Sequence, residues 1–355
     1  MSRPVFLVGT TPFDPTESLE RFASVLAEYA HRLPDGQQYG WLPNQVFENT
    51  DGLVPGNDEP LQPTAVTSTF RPAPGVSADQ LRFEAIHYAD AAIAGHAVFA
   101  RLRDEDKVPP GARYQMSIPT PFTSCIFFDW DVVRDVWPVY EQQLFANVAR
   151  MCAAIPHEDL AISWDVVAEF MIFAGARPRE DYSLDELIAG IARALDAVPA
   201  DVEAGLHFCY GGHNSNGNIE TRSAEHQAWL TPALRELRDT ELMTRYFNEI
   251  KAKTHRSIQW VHMPVPHQHE DEEYFAPLAE LDLGDTELYL GLVHLSDGIE
   301  RTSRKIAAAE HSVPAFGVAA ACGLHPIVSG LDPEQVPAMI DYHRQVASIG
   351  ETTTS

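Results

Sequence analysis

A histidine and a cysteine stand two positions apart near the end of an apolar run. They are His207 and Cys209, in the segment GLHFCYGG at residues 205–212. Residues i and i+2 of a β-strand point to the same side of the strand, so both side chains can reach one point in space. Imidazole and thiolate are typical zinc ligands, but histidine and cysteine are also found packed in protein cores. The segment therefore predicts either part of a metal site or two core residues.

Three later β-rich runs also end in residues that can bind a metal or move a proton. These residues are His262 in WVHMPVP, His294 and then Asp297 in LVHLSDG, and Cys322 in AAACGL. Two thiolates, an imidazole and an open position describe a catalytic zinc site. The long separation of Cys209 and Cys322 argues against a zinc finger and suits a barrel, whose strands end at one mouth. The alternative, a hydrogen-bonded His207 and two buried cysteines, stays open on pattern alone.

Short β-rich runs alternate with amphipathic helical stretches along the chain, and these elements must position the candidate ligands. Eight strands that each feed a helix predict an α/β fold, a (β/α)8 TIM barrel, with 1–355 as a single domain. The segment after the first run, GTTPFDP, lacks the G-x-G-x-x-G turn that an open doubly wound sheet would usually carry. The active site of such a barrel lies at the C-terminal ends of its strands. The predicted strands are residues 5–10, 81–89, 114–121, 160–167, 203–211, 257–266, 287–296 and 315–324.

Residues 33–80 are rich in proline, glycine and asparagine. Such a composition favours turns and loops over regular elements. We therefore predict a long loop excursion over the barrel mouth in this segment.

Composition excludes several classes of function. The chain has 355 residues, of which 45% are hydrophobic, enough for a large packed core, and its formal net charge is −26. A surface this negative repels nucleic acid and anionic membranes, so neither partner is expected. No run approaches the roughly 18 apolar residues of a membrane span, and the first residues do not resemble a signal peptide, so we expect a cytoplasmic protein. Four scattered cysteines are too few for a disulfide framework, and the sequence predicts no oligomeric state.

Two motifs resemble those of one enzyme family. LHFCYGG resembles the H-x-C-Y segment of the cobalamin-independent methionine synthases, and AAACGL resembles their later D-C-G-L segment. YQMSIPTPFT, AISWDVVAEF and LGLVHLSDGIER are weaker echoes of family segments in the same order. The resemblance spans roughly residues 110–330 and looks like the catalytic barrel alone, a single-barrel relative in the superfamily that also holds uroporphyrinogen decarboxylase.

This resemblance implies a metal centre. Carried over, the zinc (Zn²⁺) ligands are His207, Cys209 and Cys322. The family's fourth ligand is a glutamate on the following strand, where the best-placed residue here is His262. Either His262 replaces that glutamate as a ligand, or the site has three protein ligands.

The implied function is a zinc-dependent methyl or alkyl transferase that activates a small-molecule thiol acceptor for attack on an alkyl donor. The family's D-E-P triplet reads Asp165-Val166-Val167 here, and its N-terminal G-S-F-P element reads VGTTPF. A relative of the zinc-dependent thiol alkyltransferases that act on coenzyme M is therefore similarly compatible. Two alternatives remain: a zinc-dependent hydrolase or lyase that activates water, and a non-catalytic binding barrel. Two thiolate ligands favour the transferase over water activation.

Further residues are candidates for catalysis beside the metal. His294 or Asp297 could act as the general acid that protonates the leaving group, and Asp165 could hold a substrate ammonium group. For each of the three, a structural hydrogen bond is the alternative. His267 and His269 lie in the acidic, proline-containing segment PHQHEDEEYF, which predicts a solvated loop.

Overall fold

Seven parallel strands form the main sheet in the part of the chain that the structure describes. The structure is a computed structural model, and it describes residues 2–36, 42–58, 68–173, 181–209 and 239–349. The strand order is β1-β4-β5-β6-β7-β8-β9, and every pairing in it is parallel. The strands are β1 (Arg32–Pro34), β4 (Arg113–Pro119), β5 (Leu160–Val166), β6 (Glu203–Phe208), β7 (Trp260–Pro264), β8 (Glu287–Val293) and β9 (Gly317–Ala320), while β2 (Leu53–Pro55) and β3 (Phe70–Pro72) form a separate antiparallel pair.

Amphipathic helices connect the strands. Helix α6 (Leu184–Asp196), which precedes β6, shows the pattern. Its residues Leu187, Ile188, Ile191 and Leu195 recur at helical spacing and are all buried. Its N-terminal cap is Ser183, whose hydroxyl accepts the backbone N–H of Glu186 at 3.2 Å. No helix of the described residues is both long and apolar enough to cross a membrane. The α-helices are α1 (Pro15–Leu26), α2 (Tyr88–Asp104), α3 (Pro121–Ser124), α4 (Val133–Ala154), α5 (Ala168–Phe173), α6 (Leu184–Asp196), α7 (Glu241–Lys253), α8 (Glu272–Phe275), α9 (Gly298–Glu310), α10 (Pro326–Ser329) and α11 (Val336–Ala347).

The N-terminal segment runs between the first and last strands of the curled sheet. The backbone N–H of Phe6 donates to the carbonyl of Val318 on β9 at 3.0 Å, and Val318 donates in turn to Pro4 at 2.9 Å. On the other side, Val5 donates to Tyr29, just before β1, at 2.8 Å. The sheet is therefore of the TIM-barrel type, and the predicted α/β fold class is confirmed.

Two predicted strands are not formed and one strand was missed. Residues 5–10 form only an isolated parallel bridge, from Val5 to Val318. Residues 81–87 contain no strand, and α2 begins at Tyr88. The place beside β4 is taken instead by β1 (Arg32–Pro34), which lies at the start of the segment predicted as a loop. Three residues, one of them proline, are too few to show the alternation by which a strand is recognised. Later in that segment β2 and β3 pair, while residues 37–41 and 59–67 lie outside the described residues. The position of the excursion over the mouth and the single domain stay predictions.

A charged layer centred on the buried Arg32 lies at the N-terminal end of the barrel interior. Arg32, Glu203 and Glu287 are the first residues of β1, β6 and β8, and the Arg32 guanidinium donates to both carboxylates at 2.7 Å. The guanidinium also lies over the Trp260 ring, 4.2 Å from its centre. A Cβ at Gly205 would come within 2.1 Å of that ring, so only glycine fits there. Arg32 and the Trp260 ring thus fill this end of the barrel interior. The active site of such a barrel lies at the other, C-terminal end of the strands.

Candidate metal centre

His207, Cys209 and Cys322 come together at the C-terminal ends of β6 and β9. Their ligand atoms all lie within 4.8 Å of one another. The two sulfur atoms are 3.6 Å apart, and the sulfur of Cys322 is 4.0 Å from Nε2 of His207. His207 and Cys209 are buried, whereas Cys322 is partly exposed. The i, i+2 pair on β6 thus meets the cysteine after β9, as the alternation of β6 predicts.

The three atoms fit a zinc ion. Tetrahedral zinc with Zn–S bonds of about 2.3 Å and Zn–N bonds of about 2.0 Å separates two sulfur ligands by about 3.8 Å and a sulfur from a nitrogen by about 3.5 Å. The observed separations of 3.6 and 4.0 Å lie within a few tenths of an ångström of these values. Contact with Cys209 and burial raise the pKa of the Cys322 thiol well above its usual value. A metal ion would stabilise the ionised thiol, which is the form that binds zinc.

His262 lies behind His207, on the neighbouring strand β7, and is not part of this cluster. The two residues are paired in register, and their Nδ1 atoms are 2.7 Å apart. Nε2 of His262 lies 3.0 Å from the carbonyl oxygen of Ala320 on β9. Burial and the neighbouring His207 lower the pKa of His262 well below its usual value. Burial also opposes charge on His207, but Cys209 and Asp165 outweigh it and raise the pKa of His207.

Asp165 stands next to His207 in the register of β5 and β6. Burial raises the pKa of its carboxyl to about 7, against the opposing effect of His207, and the Cys209 thiol raises it further. Its Oδ1 atom is buried and has no hydrogen-bond partner among the described residues. A buried acceptor without a donor costs free energy, typically about 1–3 kcal/mol. A ligand that donates a hydrogen bond or carries a positive charge would remove that cost.

The other two predicted catalytic residues, His294 and Asp297, follow β8 and do not belong to the His207–Cys209–Cys322 cluster. His294 is fully buried, and its Nε2 lies 2.9 Å from the carbonyl oxygen of Val265. The Asp297 carboxylate is also buried and forms ion pairs with Lys305 at 2.6 Å and with Arg301 at 3.2 Å. Their catalytic roles stay predictions.

His267 and His269 lie in the predicted loop after β7, but their side chains are only partly exposed. Nε2 of His267 is 2.7 Å from the Asp297 carboxylate, and the His267 side chain is 22% exposed. The His269 ring stacks on Tyr274 with 4.1 Å between ring centres. The acidic residues around the two histidines suggested exposed side chains. The partner of His267, Asp297, follows a different strand, so the sequence near His267 does not indicate the contact.

Two solved structures resemble the chain over almost its whole length. One is a B12-independent methionine synthase from Shewanella sp. W3-18-1 in complex with selenomethionine: the sequences are 14% identical, the alignment covers 99% of this chain and 98% of that one, and the TM-score is 0.64. The other, from Listeria monocytogenes, is described as a vitamin-B12 independent methionine synthase, with 13% identity, coverage of 98% and 99%, and a TM-score of 0.50. The fold is that of the B12-independent methionine synthase structures. The resemblance that two short motifs indicated is thereby confirmed for the fold.

No protein-family model and no curated protein matches the chain. Each solved structure is covered over nearly its full length. The likeness therefore lies in the architecture of the entire chain, and it does not by itself identify the chemistry of the site.

Proposed function

We propose that this chain is a zinc-dependent methyl or alkyl transferase with a small-molecule thiol acceptor. The observation that carries the proposal is the meeting of one imidazole and two thiols, all within 4.8 Å, at the C-terminal end of a methionine-synthase fold. Nε2 of His207 and the sulfur atoms of Cys209 and Cys322 would hold the ion. Zinc bound there would lower the pKa of a thiol at its open position, so that a nucleophilic thiolate is available near neutral pH.

The ligand set favours a thiol over water as the activated group. Two thiolates and a neutral imidazole balance the two positive charges of zinc, so the ion withdraws little electron density from a bound sulfur. Many catalytic zinc sites that activate water use three histidines, or histidines with a carboxylate, although zinc deaminases do so with one histidine and two cysteines. No carboxylate belongs to the cluster among the described residues.

Asp165 supports an acceptor that carries an ammonium group. Its Oδ1 atom is buried and has no hydrogen-bond partner in the described part of the chain, and Asp165 pairs with His207 in the register of β5 and β6. An ammonium group would form a charge-assisted hydrogen bond with this carboxylate. The Shewanella structure holds selenomethionine, an amino acid with an alkylated selenium atom, which agrees with an amino-acid acceptor.

His294 is our candidate for the general acid that protonates the leaving group of the alkyl donor. Its place directly after β8, at the end of the barrel that also holds the cluster, supports this role. Asp297 is a positioning residue in this proposal and not the proton donor, because its carboxylate already forms ion pairs with Lys305 and Arg301. Zinc binding by Cys209 and Cys322 requires free thiols, which a reducing compartment maintains, so the cytoplasm is the proposed location.

A product assay tests the proposal. The zinc-loaded protein is incubated with homocysteine or 2-mercaptoethanesulfonate as acceptor and with methyltetrahydrofolate or a methylated small molecule as donor, and S-methylated product is measured by mass spectrometry. We expect product from the wild type and from Cys152→Ala, which removes a buried thiol of α4 outside the cluster, but none from Cys322→Ser. Product that forms equally well with Cys322→Ser would refute the assignment.

A further inference from the structure

We propose that His262 is a positioning residue that fixes the tautomer of His207, so that Nε2 of His207 carries a free lone pair and faces the two cysteines. This positioning role matters for function only if the proposed zinc site exists, so the inference rests on the proposed function. The tautomer itself is a property of the metal-free protein and can be measured without zinc.

The Ala320 carbonyl determines where the proton of His262 sits. A carbonyl oxygen only accepts hydrogen bonds, so Nε2 of His262, 3.0 Å away, must carry the hydrogen and donate it. A neutral imidazole carries one N–H, so Nδ1 of His262 is then an acceptor. The 2.7 Å contact between the two Nδ1 atoms needs one hydrogen, and His207 must supply it.

The consequence for His207 follows directly. With its hydrogen on Nδ1, its Nε2 atom has the lone pair, and this is the atom that lies 4.0 Å from the sulfur of Cys322. The opposite tautomer would present an N–H to the cluster, and an N–H cannot bind a metal. His262 therefore prepares the ligand atom of His207 without touching the ion.

The same contacts argue against His262 as the fourth ligand. Its Nδ1 atom is taken by His207 and its Nε2 atom by Ala320. Either nitrogen would have to give up a hydrogen bond inside a fully buried site before it could bind a metal. The residue that occupies the place of the family's glutamate thus supports a ligand in this chain.

The surroundings hold the His262 ring in this position. Its ring centre lies 5.4 Å from that of Phe6 in the barrel interior. On the other side, Gly291 leaves the room for Nε2: a Cβ there would be 2.9 Å from that atom. The ring is fully buried, and a leucine in its place would fill the space without offering an acceptor. His207 would then lose its acceptor and with it the preference for one tautomer.

Two substitutions separate this role from a merely structural one. The amide of His262→Gln can accept from His207 through oxygen and donate to Ala320 through nitrogen, whereas His262→Leu can do neither. Nitrogen chemical shifts of histidine-labelled, metal-free protein report the tautomer at a pH where the His207 ring is neutral, and loss of a signal in His207→Gln assigns it. Zinc affinity is measured separately by competition with a chromophoric chelator.

We expect the Nδ1–H tautomer in the wild type and in His262→Gln, and a changed tautomer in His262→Leu. Zinc affinity should be nearly retained in His262→Gln and fall about 10- to 100-fold in His262→Leu. A wild-type His207 that carries its hydrogen on Nε2 would overturn the proposal even if His262→Leu does not fold. Equal large losses of affinity in both variants would also overturn it and show that His262 is itself a ligand. If the wild type shows the expected tautomer but binds no zinc, the proposed function fails while the positioning role stands.

Discussion

A methyl group added at Gly291 should loosen the metal centre by displacing His262 and the backbone next to Cys322. The nearest neighbour of the Cβ of Gly291→Ala would be the Cα of Ala321, at 2.7 Å. The Cβ would also lie 2.9 Å from Nε2 of His262 and 3.0 Å from the carbonyl oxygen of Ala320. These two atoms are the ends of one hydrogen bond. Non-bonded heavy atoms pack at about 3.5 Å, so Nε2 of His262 and the oxygen of Ala320 must each move away by about half an ångström. This movement lengthens the hydrogen bond between them towards the longest distance at which it still forms.

The expected cost has two parts that can be measured separately. Overpacking a tight core site typically lowers the free energy of unfolding by about 1–3 kcal/mol, which urea denaturation measures. The disturbed His262 should also weaken zinc binding by about tenfold, or about 1.4 kcal/mol, which chelator competition measures. The matched control is Gly317→Ala on β9, whose Cβ would come within 2.4 Å of the Tyr289 ring. It should destabilise the fold similarly and leave zinc affinity unchanged. Equal zinc affinities in the two variants would refute this account of His262.

Three further outcomes are expected. Asp165→Asn should raise KM by about 10- to 100-fold for thiols that carry an ammonium group, because a charge-assisted hydrogen bond is lost. The KM for 2-mercaptoethanesulfonate, which has no ammonium group, should not change. An equal rise in KM for both kinds of thiol would contradict the role of Asp165. Metal-free protein treated with oxidised glutathione should form a Cys209–Cys322 disulfide, since the sulfur atoms are 3.6 Å apart; peptide mass mapping should find the cross-link, and bound zinc should prevent it. Burial lowers the pKa of His343 from 6.5 to about 4, so its charging opposes folding and about 3 kcal/mol of stability should be lost as pH falls from 6.5 to 4. His343→Gln should flatten that part of the pH profile in urea denaturation, whereas exposed His87→Gln should leave it unchanged.

The cluster could be predicted from the sequence because its signals are local. His207 and Cys209 share one face of a strand by simple alternation, and Cys322 lies in a short motif that resembles one family. The α/β barrel-type fold was predictable for a similar reason, since buried parallel strands such as β5 are nearly continuous apolar runs.

The rest depended on contacts between distant parts of the chain. Nothing local marks the three residues of β1 as a barrel strand, and their place is set by pairing with β4. The proposed role of His262 could not be read from the sequence either, because it follows from the Ala320 carbonyl on another strand. His267 likewise meets Asp297 only in the folded protein.

Metal content is the most direct test of the central claim that His207, Cys209 and Cys322 hold zinc. Elemental analysis of the purified wild type, Cys209→Ser and Cys322→Ser, with Cys152→Ala as the control, would measure it. We predict about one zinc ion per chain in the wild type and the control, and strong loss in both cluster variants. Folded wild-type protein that holds no zinc and takes up none when zinc is added would contradict the account.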